Sequence, residues 1–229
     1  MDTPGDTADE QDGFDLGPVE VRVLAVLIEK SFVTPDNYPM SVNAITSGCN
    51  QLTGRDPVME LSEQAVQDAI DSLTDRRLVS QRDSASARVA KYEHLVRLRH
   101  SLPPAEQAVL ALLMLRGPQT VGEIRGRCER MHHFDDTGEV ERILVHLADK
   151  YPPMVQTLPL APGTKEVRHV HLLGGSEAAR VMAEGLASSS PAAAARGSRV
   201  AELEDEVRRL RQQVEWLTNE FESFRKQFE

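Results

Sequence analysis

Apolar residues recur at helical spacing in two stretches of the chain that resemble each other. Residues 17–28 and 103–114 align at an offset of 86 residues, with proline, glutamate, valine, leucine and alanine at matching positions. Val42, Ile45 and Cys49 recur at an offset of 79 residues, and the order of the following segments is also repeated. Because only the loop lengths differ, the pattern indicates one small domain that has been duplicated.

Each copy is predicted to contain three helices followed by a β-hairpin. Proline opens the first helix at its favoured early position. Ser41 or Thr120 caps the second helix, and the third begins after Ser62 or Thr137. Three helices and a hairpin are typical of the winged helix. The predicted strands are Leu78–Arg82 and Val89–Leu95 in the first copy, and Met154–Leu158 and Val167–Leu173 in the second.

The expected fold class is α+β, mainly helical with small β-hairpins. Two tandem winged-helix domains are followed by a C-terminal coiled-coil helix in this prediction. A Ser- and Ala-rich stretch separates that helix from the body and is typical of a linker. The predicted segments are an acidic disordered arm (1–16), a first domain (17–100), a second domain (101–175), a short helix with a linker (176–198) and the coiled coil (199–229).

The last 30 residues carry an apolar seam at heptad spacing. Valine at a and leucine at d through the first three heptads favour a parallel homodimer. Flanking charges agree, since Arg199 would face the partner's Glu204. The alternative is a helix that folds back on its own body. The seam consists of Val200, Leu203, Val207, Leu210, Val214, Leu217, Phe221, Phe224 and Phe228.

The net charge of −10 is unevenly distributed along the chain. Residues 1–16 hold six acids and no base, whereas residues 17–175 are close to neutral. A protein that coats nucleic acid needs many lysines and arginines to neutralise phosphates, so the overall balance argues against that class. A local basic patch is still compatible with these numbers.

Composition also bears on compartment and cofactors. Two cysteines are too few for a disulfide framework. The N-terminal residues are acidic and lack an apolar core, and no apolar run is long enough for a membrane span. We therefore expect a cytoplasmic protein with no membrane association. No sequence motif for a nucleotide or an assembled nucleophile is present, so we expect no enzyme activity, no catalytic residues and no cofactor.

Several distinctive strings carry a family resemblance. Val26-Leu-Ile-Glu-Lys30, Thr34-Pro-Asp-Asn-Tyr-Pro39, Arg55-Asp-Pro-Val58 and Arg130-Met-His-His-Phe134 are among them. Over residues 17–175 the chain resembles the bacterial YceH-like family. That resemblance implies a tandem pair of winged helices and leaves the biochemical role open.

Basic residues of the hairpins and of one helix are the candidate nucleic-acid contacts. A winged helix usually places its third helix in the major groove and its wing on phosphates. In the first copy that helix carries Glu63, Asp68 and Asp71, and acids repel phosphates. A solvated surface of mixed charge is the alternative interpretation. The candidates are Arg82, Arg88, Lys91, Arg125, Arg127, Arg130, Lys165 and Arg168.

The polar segment 34–58 is the candidate surface for a protein partner. It is richer in amide and charged side chains than a small core requires. The alternative is a long ordered loop whose Asn and Asp side chains cap its own turns. The candidate residues are Asp36, Asn37, Tyr38, Asn43, Asn50, Gln51 and Arg55.

Histidines and cysteines offer weaker signals. His132, His133 and the pair His169 and His171 resemble metal ligands, but no third ligand has a diagnostic spacing, so no metal is expected. The two cysteines occupy equivalent helix positions and are expected to be small buried hydrophobes.

The functional hypothesis is a dimeric scaffold that binds a protein partner. The alternative is a DNA-binding regulator acting through its wings.

Overall fold

A computed structural model describes residues 14–82, 89–160 and 164–189, with side chains placed up to residue 186. The heptad seam, most of the linker, Arg88 and the first 13 residues lie outside the described residues. The described residues from 14 to 183, apart from Thr164, belong to one compact unit. The second unit, 161–164 with 184–229, falls almost entirely outside the described part.

The first half begins with three helices and ends with a hairpin. Ser41 and Ser62 cap the second and third helices, since each hydroxyl accepts a hydrogen bond from a backbone N–H three residues later. The strands pair antiparallel, with Val79 opposite His94. The elements are α1 (Pro18–Val33), α2 (Val42–Cys49), α3 (Glu63–Asp75), β1 (Val79–Arg82) and β2 (Lys91–His94).

The second half repeats that order after a short helix, α4 (Val96–His100). It ends with a helix that runs to the limit of the described residues, α8 (Gly175–Ser189). The prediction of a mainly helical α+β chain with small hairpins is confirmed. The elements between α4 and α8 are α5 (Pro104–Arg116), α6 (Val121–Cys128), α7 (Thr137–Ala148), β3 (Val155–Thr157) and β4 (His169–His171).

The start of α7 differs from the sequence prediction by one residue. Asp136, not Thr137, is the capping residue, and its carboxylate accepts from Glu139 N at 2.8 Å. Thr137 is the first helical residue. Both residue types can cap a helix, and the Asp136 side chain is the one that accepts the orphan N–H.

A further extended residue precedes the second helix in each half. Met40 exchanges two backbone hydrogen bonds with Tyr92, and Gln119 exchanges two with His169. Each hairpin therefore has a third, one-residue neighbour on its second strand. The sequence pattern does not predict this bridge, because a single extended residue has no periodicity.

The core is shared by both halves. Val21–Ile28 in α1 and Glu106–Leu115 in α5 are buried at every position. A helix that is buried on all sides needs packing partners all round. The two helices pack against each other, and buried residues of both halves form one continuous cluster. The repeats are therefore joined through their first helices.

One glutamate in each half links the first helix to the third. Glu20 lies 3.8 Å from Arg76 Nε, and Glu106 lies 3.3 Å from Lys150 Nζ. Oε2 of Glu106 receives no hydrogen bond of good geometry, so the contact with Lys150 is a charge interaction. The two pairs occupy equivalent positions of the repeat, so the duplication extends to this contact between side chains.

None of the helices placed by the structure combines the length and the hydropathy that a bilayer crossing requires.

Candidate interaction surfaces

The segment 34–58 is held in place at many points. Pro35–Asn37 forms a 3₁₀ turn whose Asp36 and Asn37 are exposed. Tyr38 is half-buried, and its hydroxyl accepts a hydrogen bond from the His94 N–H at 2.7 Å. Asp36 and Asn37 are therefore accessible to a partner, while Tyr38 fixes this part of the segment to the first hairpin.

Asparagines fasten the next part of the segment to α3. Asn50 both donates to Leu61 O and accepts from Leu61 N, each at 2.8 Å. Asn43 donates to Glu63 Oε1 at 2.7 Å. These amides act on the chain itself, as expected for an ordered polar loop.

Arg55 is buried and is the anchor of this loop. Only 6% of the residue is exposed. Its Nε donates to Gly48 O at 3.0 Å, and NH2 lies 2.6 Å from Glu29 Oε2 and 2.8 Å from Gln51 Oε1. Burial opposes ionisation of Glu29, but the hydrogen bonds and charge of Arg55 outweigh it and lower the pKa of that carboxyl. Arg55 therefore stabilises the loop from within.

A second buried arginine, Arg22, was not among the residues singled out from the sequence. It is 2% exposed, and its guanidinium donates to Cys49 O at 3.1 Å and to Pro57 O at 2.6 Å. Burial, followed by the charge of Arg55, lowers its pKa. The two guanidinium groups lie at the C-terminus of α2, where the helix dipole favours cations. In the sequence, the burial of Arg22 is indicated only by its place as a single charged residue in the apolar run of α1.

The candidate cations of the first hairpin differ in environment. Arg82 Nε lies 2.7 Å from Glu93 Oε1 across the strand pair, so its charge is balanced. Lys91 is exposed and has no acidic partner among residues that the structure places. The structure brings these two residues to neighbouring positions on paired strands.

Two candidate arginines of the second half converge on one acid. Arg168 NH1 lies 2.6 Å from Glu123 Oε2, and Arg127 NH2 lies 3.6 Å from Glu123 Oε1. Arg127 also donates to the Gln119 side chain. Burial of Glu123 is outweighed by its bonds to the Thr120 N–H and to Arg168, and its pKa is lowered. The carboxylate therefore balances part of the positive charge here.

The remaining candidates of the second half are divided between backbone contacts and solvent. Arg125 donates to Phe134 O at 3.2 Å and to Asp135 O at 2.8 Å, closing the loop after α6. Arg130 and Lys165 are exposed and form no ion pair within the described ranges. The candidate cations therefore do not form one uninterrupted patch.

The outer face of α3 is acidic. Glu63, Asp68, Asp71 and Asp75 are all exposed. Gln64 and Gln67 on the same helix donate to Asp68 and Asp71. The exposed side of α7 carries both Glu141 and Arg142 and is mixed in charge. Of these two helices, α3 presents a single sign of charge to solvent and α7 does not.

The histidines considered as metal ligands have other contacts. His133 Nδ1 lies 2.7 Å from Glu129 Oε1, and His169 Nδ1 lies 3.1 Å from Thr157 Oγ1. His171 is 2% exposed, and burial lowers its pKa to about 4. Across the residues with assigned positions, no three potential metal ligands form a cluster.

The two cysteines are buried, as the sequence analysis predicted. Burial raises the pKa of both thiols to about 12. Cys128 Sγ also donates to Ala108 O at 3.6 Å. At neutral pH both side chains are protonated thiols that pack in the core, which makes them poor nucleophiles.

An open cavity of about 490 Å³ lies between the end of α1, the first hairpin and the start of α5. Its lining includes Phe32, His94, Arg97 and Leu98. His94 Nε2 lies 3.3 Å from Ser31 Oγ, while Nδ1 is buried without a hydrogen-bond partner. The cavity also brings together two candidates from the sequence, Tyr38 and Arg82. The other lining residues come from separate segments and were not predicted.

These observations define the class of the protein. It is a mainly helical α+β protein in which a unit of three helices and a hairpin occurs twice around one core. Most of its candidate polar residues are engaged in contacts within the chain.

Comparison with other sequences places the chain in a family. The family model described as "Protein of unknown function, DUF480" matches residues 16–164. The UPF0502 protein of Azoarcus sp. strain BH72 is 67% identical over 216 residues, covering 94% of this chain and 95% of the relative. The UPF0502 protein of Geobacter sulfurreducens is 46% identical over 218 residues, covering 93% and 98%. The chain belongs to this bacterial DUF480 family.

Proposed function

We propose that this chain is a non-enzymatic, dimeric scaffold that presents two winged helices to a protein partner. The winged-helix assignment is supported by the order of elements and by the extended residues Met40 and Gln119, each ahead of a second helix. The YceH-like resemblance over 17–175 overlaps the DUF480 match over 16–164, which supports treating the two families as one.

The observation that carries the scaffold hypothesis is the acidic outer face of α3. In the DNA-binding use of a winged helix this face would enter the major groove between two rows of phosphates. Four exposed carboxylates there oppose such contact, because like charges repel and no counterions would be released. The same face is compatible with a protein partner that carries basic side chains.

Pairing of the candidate cations points in the same direction. Arg82 is balanced by Glu93, and Arg168 by Glu123. A balanced arginine contributes little to phosphate binding, since the acid must be displaced first.

Dimer formation rests on the heptads of residues 199–229, which lie outside the described residues. A dimer presents each winged-helix pair twice, and two weak contacts on one partner bind more tightly than one. Both thiols are buried and protonated, which supports the assignment as a non-enzyme.

A DNA-binding regulator is the second candidate function. It is favoured by Lys91, Arg130 and Lys165, which are exposed and unpaired within the part of the chain that has been placed. Three such residues per chain become six in a dimer, enough for weak phosphate contact.

Fluorescence anisotropy with a labelled duplex distinguishes the two candidates. We expect binding to be absent at 150 mM salt and weak at about 50 mM, with a shallow salt dependence because few phosphates are neutralised. Binding that persists at 150 mM salt, and that Lys91→Glu with Arg130→Glu abolishes, would establish the regulator instead.

A further inference from the structure

The point at which the acidic N-terminal arm joins the body is fixed. The Phe14 ring packs edge-on against His100 with 4.9 Å between ring centroids. Phe14 O accepts a hydrogen bond from Arg76 NH1 at 2.7 Å. Leu16 is buried and donates through its N–H to Leu173 O at 2.8 Å. Residues 14–16, which were predicted to be part of the arm, therefore pack on the body.

This junction lies beside a group of arginines, here called the hairpin-root cluster: Arg76, Arg77, Arg97 and Arg99. The first two follow α3 and the other two are on α4. A hydrogen bond of 2.7 Å from Leu95 N to Leu78 O holds these segments side by side. All four arginines are exposed.

The hairpin-root cluster is short of acidic partners. Arg77, Arg97 and Arg99 form no ion pair with any acid that the structure places. Arg76 Nε lies 3.8 Å from Glu20 Oε1, and Arg76 NH1 donates a hydrogen bond to Phe14 O. The nearby acids among the described residues are Glu20, Asp75 beside Arg76 in the chain, and Asp15 beside Phe14, so four guanidinium groups outnumber three carboxylates.

The pKa of His100, which packs against Phe14, is affected by the same excess of positive charge. Burial lowers its pKa, and the charges of Arg99 and Lys150 lower it further. Lys150 is already close to Glu106, whereas Arg99 is not balanced. The Phe14 ring that packs on His100 therefore lies next to unbalanced positive charge.

The segment attached at this point has the opposite charge. Residues 1–13 contain five acids and no base. A random coil of 13 residues has a root-mean-square end-to-end distance of roughly 20 Å, so the length of this segment is compatible with contact to both α4 and the end of α3. Attachment at Phe14 gives these carboxylates an effective concentration on the order of millimolar at the cluster.

We propose that residues 1–13 dock on the hairpin-root cluster of the same chain and neutralise it. The contact is carboxylate to guanidinium and is independent of the function proposed above. The cluster is then an anion-binding surface whose resident occupant is the arm. A free polyanion then competes with residues 1–13 for the same guanidinium groups.

Distance measurement between two spin labels tests this directly in the full-length protein. Labels are attached at Thr7→Cys and Leu98→Cys; the native thiols are buried and protonated and are not labelled. Labelled chains are diluted with unlabelled chains, so that only pairs within one chain contribute. We expect a short-distance population at 50 mM salt that disappears at 500 mM, because screening weakens exposed ion pairs.

Charge reversal provides the decisive comparison. Arg77→Glu with Arg99→Glu removes the short population, whereas the matched control Arg130→Glu with Lys165→Glu retains it. All four side chains are exposed and form no ion pair with an acid that the structure places. Because Arg77 has a left-handed φ of 57°, circular dichroism and urea unfolding of both variants are compared with the native protein first. The same distance distribution in the native protein and in the cluster-reversed variant would overturn the proposal.

Duplex binding at 50 mM salt gives a second, independent readout. Neutralising the five acids to their amides should raise affinity about tenfold, because a tethered competitor is lost. In a chain that also carries Arg77→Glu and Arg99→Glu, the same neutralisation should have no effect. An equal gain in both backgrounds would reflect net charge alone and would refute docking at the cluster.

Discussion

At the scale of single residues, two buried arginines, Arg22 and Arg55, hold the end of α2 and the loop after it in place through hydrogen bonds to backbone carbonyls. In the sequence Arg55 was grouped with surface residues, because arginine is usually exposed. Its burial becomes evident only when Glu29, 26 residues earlier in the chain, is placed beside it.

Replacing Arg55 by methionine should destabilise the protein strongly. The change leaves Glu29 as a buried, uncompensated carboxylate and Gly48 O without its donor. Breaking a buried pair in this way costs about 3–5 kcal/mol. Urea unfolding followed by circular dichroism measures the loss. The matched change Arg130→Met, at an exposed arginine, should stay within about 0.5 kcal/mol, and an equal effect of both would show that the ion pair contributes nothing.

His171 should make the fold sensitive to acid. Burial holds the pKa of His171 at about 4 in the folded chain, against 6.5 for a histidine exposed to water. The unfolded state therefore binds more protons between these values, and stability rises with pH in that range. The contribution is complete above pH 6.5 and is lost as pH falls towards 4, about 3 kcal/mol in total. The unfolding free energy of the native protein minus that of His171→Leu, measured at fixed protein concentration, should fall by about 3 kcal/mol as pH is lowered from 7 to 4; parallel curves would contradict this.

At the scale of elements, helix starts were the most predictable features. Ser41, Ser62 and Thr120 cap the helices that the sequence assigned to them. Their hydroxyls act on N–H groups three residues away, so the signal is local. Strand ends were less predictable: the structure shortens the second strand of the second hairpin to His169–His171. Pairing with the opposite strand decides such limits.

The first turn of α7 allows a test that separates two neighbouring capping candidates. Asp136→Ala should destabilise the protein by about 1 kcal/mol, because Glu139 N loses its acceptor. Thr137→Ala should change stability by less than about 0.5 kcal/mol, since Thr137 is already helical and exposed. Thermal unfolding of both variants measures this, and a larger effect of Thr137→Ala would favour the boundary expected from the sequence.

At the scale of the whole molecule, the duplicated halves share one core. α1 and α5 pack against each other along apolar faces, so neither half buries its first helix alone. The sequence revealed the repeat but not this arrangement, because helices with apolar residues on every side do not indicate which neighbour covers which face.

Assembly is also decided at this scale. The heptad seam predicts that Leu203→Asp with Leu210→Asp converts a dimer to a monomer, because two charges would be buried at d positions. Light scattering on the full chain measures the mass. The control is Glu204→Gln, which changes only one exposed charge of a flanking pair. A dimer that survives both the double change and truncation near residue 187 would place the interface elsewhere.

The sequence alone determined the order of helices and strands within each repeat, three of the helix caps, the internal repeat and the burial of both cysteines, but not the short helix α4 between the repeats. These follow from interactions within a few residues or from apolar periodicity, which any short window contains. The tertiary structure decided which charges are balanced. Glu123 partners Arg168 across 45 residues, and Glu29 partners Arg55 across 26. Ion pairs form between groups that folding brings together, so no local pattern could reveal which cations remain exposed and available.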